Sequence, residues 1–234
     1  MAFRDRLLAT LRAAQSLLDV PGVVVGGSEV PNLLQSDAAS TLVVSEDVDL
    51  VIPVAQIEAI KERIGSLAGL TRSADEPSVW VPDDAETMIE LNLIGRDDDV
   101  SSADETYFLE DATLPLVVFG PLSLLSVGET RVVDGVRVPL PDPAGLFLEK
   151  LVTDRTSRKG DRDLLVALGL LMVGGDVMQE RAERLYRKLP DELRHAVRSN
   201  LSILSLMPPH DHMPDPTPHR AAIAELLRRM EALE

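Results

Sequence analysis

Two carboxylates, two residues apart, are the clearest chemical feature of this sequence. Asp47 and Asp49 belong to a short segment, residues 47–52, whose other members are apolar and which predicts a strand. Residues two apart in a strand point to the same face, so both carboxylates face one way and Val48 faces the core. Paired carboxylates repel unless a cation lies between them, and Mg²⁺ or Mn²⁺ accepts such oxygen ligands together with phosphate. The pair is therefore a candidate metal site, although two solvated aspartates on an exposed strand face fit the pattern equally well.

A third carboxylate, Glu90, lies in another predicted strand, residues 87–94. Alternation places Glu90 and Asn92 on one face of this strand and Leu91 on the other. If this strand neighbours the strand of the aspartates, Glu90 would complete the acidic site. It would also be available as a general base that activates an attacking hydroxyl group.

The third chemical feature is Gly26-Gly27-Ser28, which lies between a predicted strand and a predicted short helix. Glycines allow a sharp turn and bring backbone amides close to a ligand, and amides at a helix N-terminus favour anions. This makes the segment a candidate phosphate site, although the same residues also form ordinary turns. The segment is neither a Rossmann fingerprint, which needs a third glycine, nor a Walker loop, which needs Gly-Lys-Ser/Thr.

Taken together, these motifs resemble a known superfamily. The Gly-Gly-Ser turn is followed by Ser45 and then by Asp47 and Asp49 on the next strand. This order resembles the nucleotidyltransferase superfamily with the DNA polymerase β-type fold, and its long spacing is most similar to the AbiEii-like nucleotidyltransferase toxins. The resemblance implies Mg²⁺-dependent, or Mn²⁺-dependent, transfer of a nucleoside monophosphate from a nucleoside triphosphate to an acceptor hydroxyl group. RNA ends, proteins and small molecules are all open as acceptors.

The second half of the chain carries further residues similar to the later motifs of that group. Lys150 is followed by Arg155, and then by Lys159, Asp161 and Asp163. The resemblance implies that Lys150 contacts the triphosphate, assisted by Arg155 or Lys159. It also implies that Asp161 or Asp163 is the acid of the last motif.

Two other functions stay open at this stage. The chain would be a non-catalytic binding module if it kept the fold without binding metal and nucleotide. It would be the partner in a toxin–antitoxin pair if its acidic surface docked on a basic protein.

The composition of the chain excludes several other kinds of catalytic and metal site. The chain has 234 residues, a formal charge of −16, no cysteine, and four histidines that all follow residue 194. Cysteine nucleophiles, thiolate metal sites and disulfides are therefore excluded, and a histidine-based triad in the main body is disfavoured. The acidic balance argues against broad nucleic-acid binding. No apolar stretch is long enough to span a membrane and the N-terminus lacks the pattern of a secretory signal, so we expect a cytoplasmic protein.

The pattern of apolar residues predicts how the chain positions these groups. An α/β domain over residues 1–140 should precede a helical domain over residues 141–234, and the resemblance implies an α+β fold with a mixed sheet flanked by helices. A linker rich in proline and histidine is predicted near residues 208–218, where His210 and His212 also suggest a weaker metal site. Predicted strands cover residues 23–25, 47–52, 79–81, 87–94, 116–119, 131–133 and 136–138. Predicted helices cover residues 3–20, 54–67, 146–155, 158–173, 177–188, 192–205 and 220–233.

Overall fold

The structure is a computed structural model, and its described residues form two compact units. The first unit ends at Asp142 and the second begins at Pro143. The described residues are 3–27, 30, 33, 47–98, 105–153, 158–209 and 215–233.

The first unit is built on strands. They are β1 (Val24–Gly26), β2 (Asp47–Pro53), β3 (Leu70–Arg72), β4 (Val79–Pro82), β5 (Glu90–Arg96), β6 (Thr106–Leu109), β7 (Leu116–Phe119), β8 (Val127–Val133) and β9 (Val136–Pro141). β1 to β7 form one sheet in the order β1-β2-β5-β4-β3, with β7 also pairing with β5, and β6 with β7. β2 and β7 run parallel to β5, whereas the remaining pairs are antiparallel. The predicted mixed sheet is therefore confirmed.

Among the described residues, the helices that accompany the sheet include α1 (Phe3–Ala13), α2 (Gln15–Leu18) and α3 (Ile57–Arg63). Leucines spaced three and four residues apart give α1 one apolar face, and residues such as Leu7 and Leu11 are fully buried. They belong to one core cluster with Leu50 of β2 and Leu91 of β5. The core therefore takes up the apolar face of both strands that carry the acidic residues.

A buried hydroxyl group connects α1 to the start of β5. The Oγ1 atom of Thr10 donates a hydrogen bond to the carbonyl oxygen of Ile89 at 3.0 Å and accepts one from its backbone N–H at 2.9 Å. Both polar backbone groups of Ile89 are thereby satisfied away from water, where an unpaired group would be costly. This pair of bonds locates the residue immediately before Glu90.

The strands predicted over residues 131–133 and 136–138 are confirmed as the β8–β9 hairpin, which turns at Asp134-Gly135. Asp134 has φ of 48° and Gly135 has φ of 80°, so both central residues adopt the left-handed conformation that a two-residue hairpin turn requires. Val133 pairs with Val136 directly across this turn.

The second unit is helical. Its helices are α4 (Pro143–Val152), α5 (Arg158–Tyr186), α6 (Asp191–Leu206) and α7 (Arg220–Glu231). Gly175 has non-helical backbone angles inside α5, with φ of 59°, and so divides it into two helical segments. This matches the two separate helices predicted on either side of residues 174–176. Within the described part of the chain, no helix is both long enough and apolar enough to cross a membrane.

Some elements differ from their prediction. The predicted N-terminal helix is interrupted at Ala14, and the predicted strand 87–94 begins only at Glu90. The reason for the second difference is local: the backbone N–H groups of Thr87 and Met88 bond to the carbonyl oxygen of Asp84, which keeps these residues in a turn. β3 and β6 were not predicted, because they are short and mostly exposed and so lack a buried alternating pattern.

Candidate functional site

Asp47 and Asp49 occupy one face at the start of β2. Both are half-buried, while Val48 and Leu50 between and after them are buried in the core. The predicted alternation along this strand is therefore confirmed. The strand presents two carboxylates side by side because its backbone is extended and its apolar residues are held on the opposite face.

β5 lies parallel to β2 and brings two further polar residues to the pair. Glu90 is the register partner of Asp47, and Asn92 is the register partner of Asp49. The amide Nδ2 of Asn92 donates hydrogen bonds to Oδ2 of Asp47 at 3.0 Å and to Oδ1 of Asp49 at 3.2 Å. One amide group thus bridges both carboxylates.

The predicted glycine turn reaches the same place from the other side of β2. Gly26, the last residue of β1, pairs with Asp49 in the antiparallel register. Gly27 has φ of 80°, and a Cβ atom on it would lie 3.1 Å from Oδ2 of Asp49. Glycine is required here both by the backbone conformation and by the close approach of this carboxylate. The backbone of the turn and the acidic pair are therefore neighbours.

The environment of Glu90 changes its acidity. Burial raises the pKa of its carboxyl group, and the negative charges of Asp47 and Glu76 raise this pKa further. A carboxyl group with a raised pKa holds a proton more readily than an ordinary glutamate does. That property suits a group that must accept a proton from a hydroxyl.

The donor set of the acidic pair fits a magnesium ion. Carboxylate oxygens are the hard ligands that Mg²⁺ prefers, and one or two protein carboxylates suffice when phosphate oxygens and water complete the octahedral shell. Because Gly27 has no Cβ, the space beside Oδ2 of Asp49 is left open; a Cβ there would lie 3.1 Å from this oxygen. Among the described residues, no group of three or more histidine and acidic side chains is arranged to hold a metal ion. Asp47 and Asp49 are the two carboxylates that could hold such a cation, and Glu90 is the register partner of Asp47 on the neighbouring strand.

Lys150 lies in the second unit, on α4, and is buried. Its side chain is 7% exposed, and its Nζ lies 3.0 Å from Oε2 of Glu149 and 3.3 Å from Oδ1 of Asp163. We call Glu149, Lys150 and Asp163 the buried ion cluster. To contact a triphosphate, the ammonium group of Lys150 would have to exchange these carboxylates for phosphate oxygens. Its role in nucleotide binding stays a prediction.

The remaining predicted site residues are placed as follows. Asp161 lies in the first turn of α5 and is half-buried, whereas Asp163, two residues later, is the acid that meets Lys150. Lys159 lies within α5, and nothing more is described of its side chain. Ser28, Arg155 and the histidines of the predicted linker, His210 and His212, lie outside the described residues.

The motifs did not predict the contacts of Asn92 and did not decide between Asp161 and Asp163. The alternation of β5 puts Asn92 on the face of Glu90, but only the register shows that it faces Asp49. For Asp163, which the resemblance offered as an alternative to Asp161, only the structure shows the contact with Lys150 in the second unit. Its spacing to Lys150 depends on how α4 and α5 pack, which no local pattern encodes.

Known proteins resemble this chain in structure and not in sequence. No family model matches the chain, and no curated protein matches it in sequence. Among solved structures, it is similar to an antigenic nucleotidyltransferase-like protein from Paracoccidioides brasiliensis, with a TM-score of 0.49 and 16% sequence identity. That similarity covers 85% of this chain and 94% of the other.

Proposed function

We propose that this chain is a Mg²⁺-dependent nucleotidyltransferase, which transfers a nucleoside monophosphate from a nucleoside triphosphate to a hydroxyl group of an acceptor. One observation carries the proposal: two carboxylates on one strand face lie between a glycine turn and Glu90. Asp49 pairs with Gly26 on one side, and Asp47 pairs with Glu90 on the other. This juxtaposition supplies a cation site, a phosphate cradle and a proton acceptor at one end of one sheet.

In this proposal each group has a separate task. Asp47 and Asp49 hold the cation, and the backbone amides of Gly26 and Gly27 approach the phosphates together with the hydroxyl group of Ser28. The bound Mg²⁺ or Mn²⁺ neutralises negative charge on the triphosphate and on the departing pyrophosphate. Asp47 and Asp49 would also help to fix where the α-phosphate lies, because a cation held by both carboxylates would be placed against the phosphate oxygens.

The transfer itself is an in-line displacement at the α-phosphorus atom. The acceptor oxygen forms a new bond to that phosphorus while the bond from phosphorus to the oxygen bridging to the β-phosphate breaks. Pyrophosphate leaves with the electron pair of the broken bond, and the proton of the acceptor hydroxyl passes to Glu90. Glu90 suits this task because it lies beside Asp47 without being needed as a protein ligand of the cation.

The remaining proposed roles concern the two domains and the site residues of the second unit. Residues 1–140 would act as the nucleotidyltransferase domain and residues 141–234 as a separate helical domain. Lys150, Arg155, Lys159 and Asp161 are assigned to nucleotide binding on their similarity to the later motifs of AbiEii-like proteins. The acceptor is an RNA end, a protein or a small molecule, and a partner protein is compatible with the acidic charge of the chain.

Calorimetric titration of nucleoside triphosphates tests the proposal. We expect binding to the wild-type protein that requires Mg²⁺ or Mn²⁺ and that Asp47→Asn/Asp49→Asn abolishes. The matched control is Asp75→Asn/Glu105→Gln, which removes two negative charges at exposed positions of the same unit and should bind like wild type. A folded wild-type protein that binds no triphosphate, or equal binding by both variants, would contradict the proposal and favour a non-catalytic binding module.

A further inference from the structure

Asn92 holds an unusual position in the acidic pair. Its Nδ2 group donates to one oxygen of each aspartate, at 3.0 Å to Asp47 and 3.2 Å to Asp49. Both distances are within the ordinary range for N–H···O bonds. The two N–H groups of a side-chain amide can bridge two acceptors in this way, whereas a hydroxyl group has a single proton to donate.

The bridge opposes a repulsion that the strand geometry imposes. β2 places two carboxylates on one face, and both are half-buried, where water screens their charges less than in bulk solvent. The partial positive charges of the amide protons lie between the two carboxylates and reduce this repulsion. Hydrogen bonds to ionised groups are stronger than those between neutral groups, so the amide also restrains the rotation of both side chains.

The bridge also decides which way Asp49 faces. Oδ1 of Asp49 accepts the bond from Asn92, while Oδ2 is the atom that a Cβ on Gly27 would meet at 3.1 Å. Asn92 on one side and the glycine turn on the other therefore orient this carboxylate. The oxygen directed to the turn is the one on the side where we place the phosphates.

The oxygen of the Asn92 side chain indicates that the two hydrogen bonds to the aspartates determine how the amide is oriented. Oδ1 of Asn92 is buried and has no hydrogen-bond partner among the described residues. A buried oxygen without a donor costs free energy. Turning the amide would exchange its nitrogen and oxygen, but it would then direct an oxygen at two carboxylates. The two bonds to the aspartates therefore outweigh the cost at Oδ1.

We propose that Asn92 is a positioning residue, which bridges Asp47 and Asp49 and holds their carboxylates ready for a divalent cation on the side of Gly27. This inference rests on the proposed function, because it assigns the cation to the same pair. Hydrogen-bonded partners of ligating carboxylates are known to orient the ligands and to tune metal affinity. An amide does so without adding charge, whereas an aspartate at this position would bring a further carboxylate and donate no proton.

Binding of Mn²⁺ alone, followed by electron paramagnetic resonance, gives the first test. We expect Asn92→Ala to weaken Mn²⁺ binding about tenfold or more, the range seen for such partners of metal ligands. Asn200→Ala is the matched control, since it removes an amide that donates to the carbonyl oxygen of Leu151 at 2.7 Å in the second unit. It should leave Mn²⁺ binding unchanged. If the wild-type protein and Asn92→Ala bind Mn²⁺ equally well, the role of Asn92 is refuted and the proposed function is not. If the wild-type protein binds neither Mn²⁺ nor a Mn²⁺–triphosphate complex, the proposed function is refuted.

A metal-free measurement tests the bridge itself. With a chelator present, Asn92→Ala should lower the melting temperature of the wild-type protein by more than it lowers that of Asp47→Asn/Asp49→Asn, which has no carboxylates to bridge. Asn92→Asp should lower the wild-type melting temperature further still, because a further carboxylate then adjoins Asp47 and Asp49. Equal losses in the two backgrounds, or an unchanged melting temperature for Asn92→Asp, would overturn the assignment.

Discussion

The acidic pair of the first unit, Asp47 and Asp49, and the buried ion cluster of the second unit reduce the repulsion between neighbouring carboxylates in different ways. In both, two carboxylates lie close together. The pair is bridged by Asn92, a neutral amide, and its aspartates are half-buried. The cluster contains the ammonium group of Lys150, 3.0 Å from Glu149 and 3.3 Å from Asp163, and all three side chains are buried.

The difference indicates which carboxylates are suited to a ligand. An amide reduces repulsion but brings no formal charge, so the bridge from Asn92 does not itself neutralise the aspartates. An ammonium group between two buried carboxylates has already supplied a cation, and a buried charge is costly to expose without its partner. We therefore expect loss of the cluster to lower stability in addition to any effect on nucleotide binding, and loss of the pair to act chiefly on binding.

The largest expected effect is on the buried ion cluster. Lys150→Met should reduce the free energy of unfolding by about 3–5 kcal/mol, because it removes the ammonium group that lies beside two buried carboxylates. Urea denaturation measures this change. Lys150→Met/Asp163→Leu, which removes an acid as well, should recover part of the loss. A loss below about 1 kcal/mol for Lys150→Met would show that the cluster contributes little, and the contrast with the acidic pair would then disappear.

A smaller effect is expected at the glycine turn. Gly27→Ala should cost about 1–2 kcal/mol of stability, because alanine is strained at positive φ. It should also weaken the binding of a Mg²⁺–triphosphate complex, since the new Cβ would lie 3.1 Å from Oδ2 of Asp49. Gly135→Ala is the matched control: it has the same φ of 80° but open space around the new atom. It should lose similar stability in thermal unfolding and keep wild-type binding. Weakened binding in both variants would mean that the close contact at Asp49 is not the cause.

The smallest effect concerns a half-buried ion pair in the first unit, Lys61 and Asp111. Hydrogen bonds from Lys61, and from the backbone N–H groups of Leu114 and Thr113, lower the pKa of Asp111 from 3.8 to about 2. A carboxyl group whose pKa is lower in the folded state stabilises the fold above its unfolded pKa, and this contribution is lost as the pH falls towards 2. Asp111→Asn should therefore flatten the fall in stability between about pH 4 and pH 2, measured by urea denaturation at each pH. An unchanged pH profile in this variant would assign the acid sensitivity to other carboxylates.

Local chemistry accounts for what could be predicted from the sequence. The shared face of Asp47 and Asp49 follows from the two-residue period of an extended chain, and the β8–β9 turn follows from the backbone preferences of Asp134 and Gly135. The glycines of the first turn were recognisable because glycine adopts sharp turns that other residues rarely adopt. Strands such as β6 were missed because their side chains are exposed and leave no period in the pattern.

The tertiary structure alone decided which groups meet. Asn92 bridges Asp47 and Asp49 because β5 pairs with β2 in one register, and a shift by one residue would have turned Asn92 to the opposite face. Lys150 meets Asp163 because α4 and α5 bury their facing sides together, although thirteen positions separate the two residues in the chain. Register and helix packing depend on contacts between distant segments, so residue types and local spacing determine the chemical groups available and the fold determines their partners.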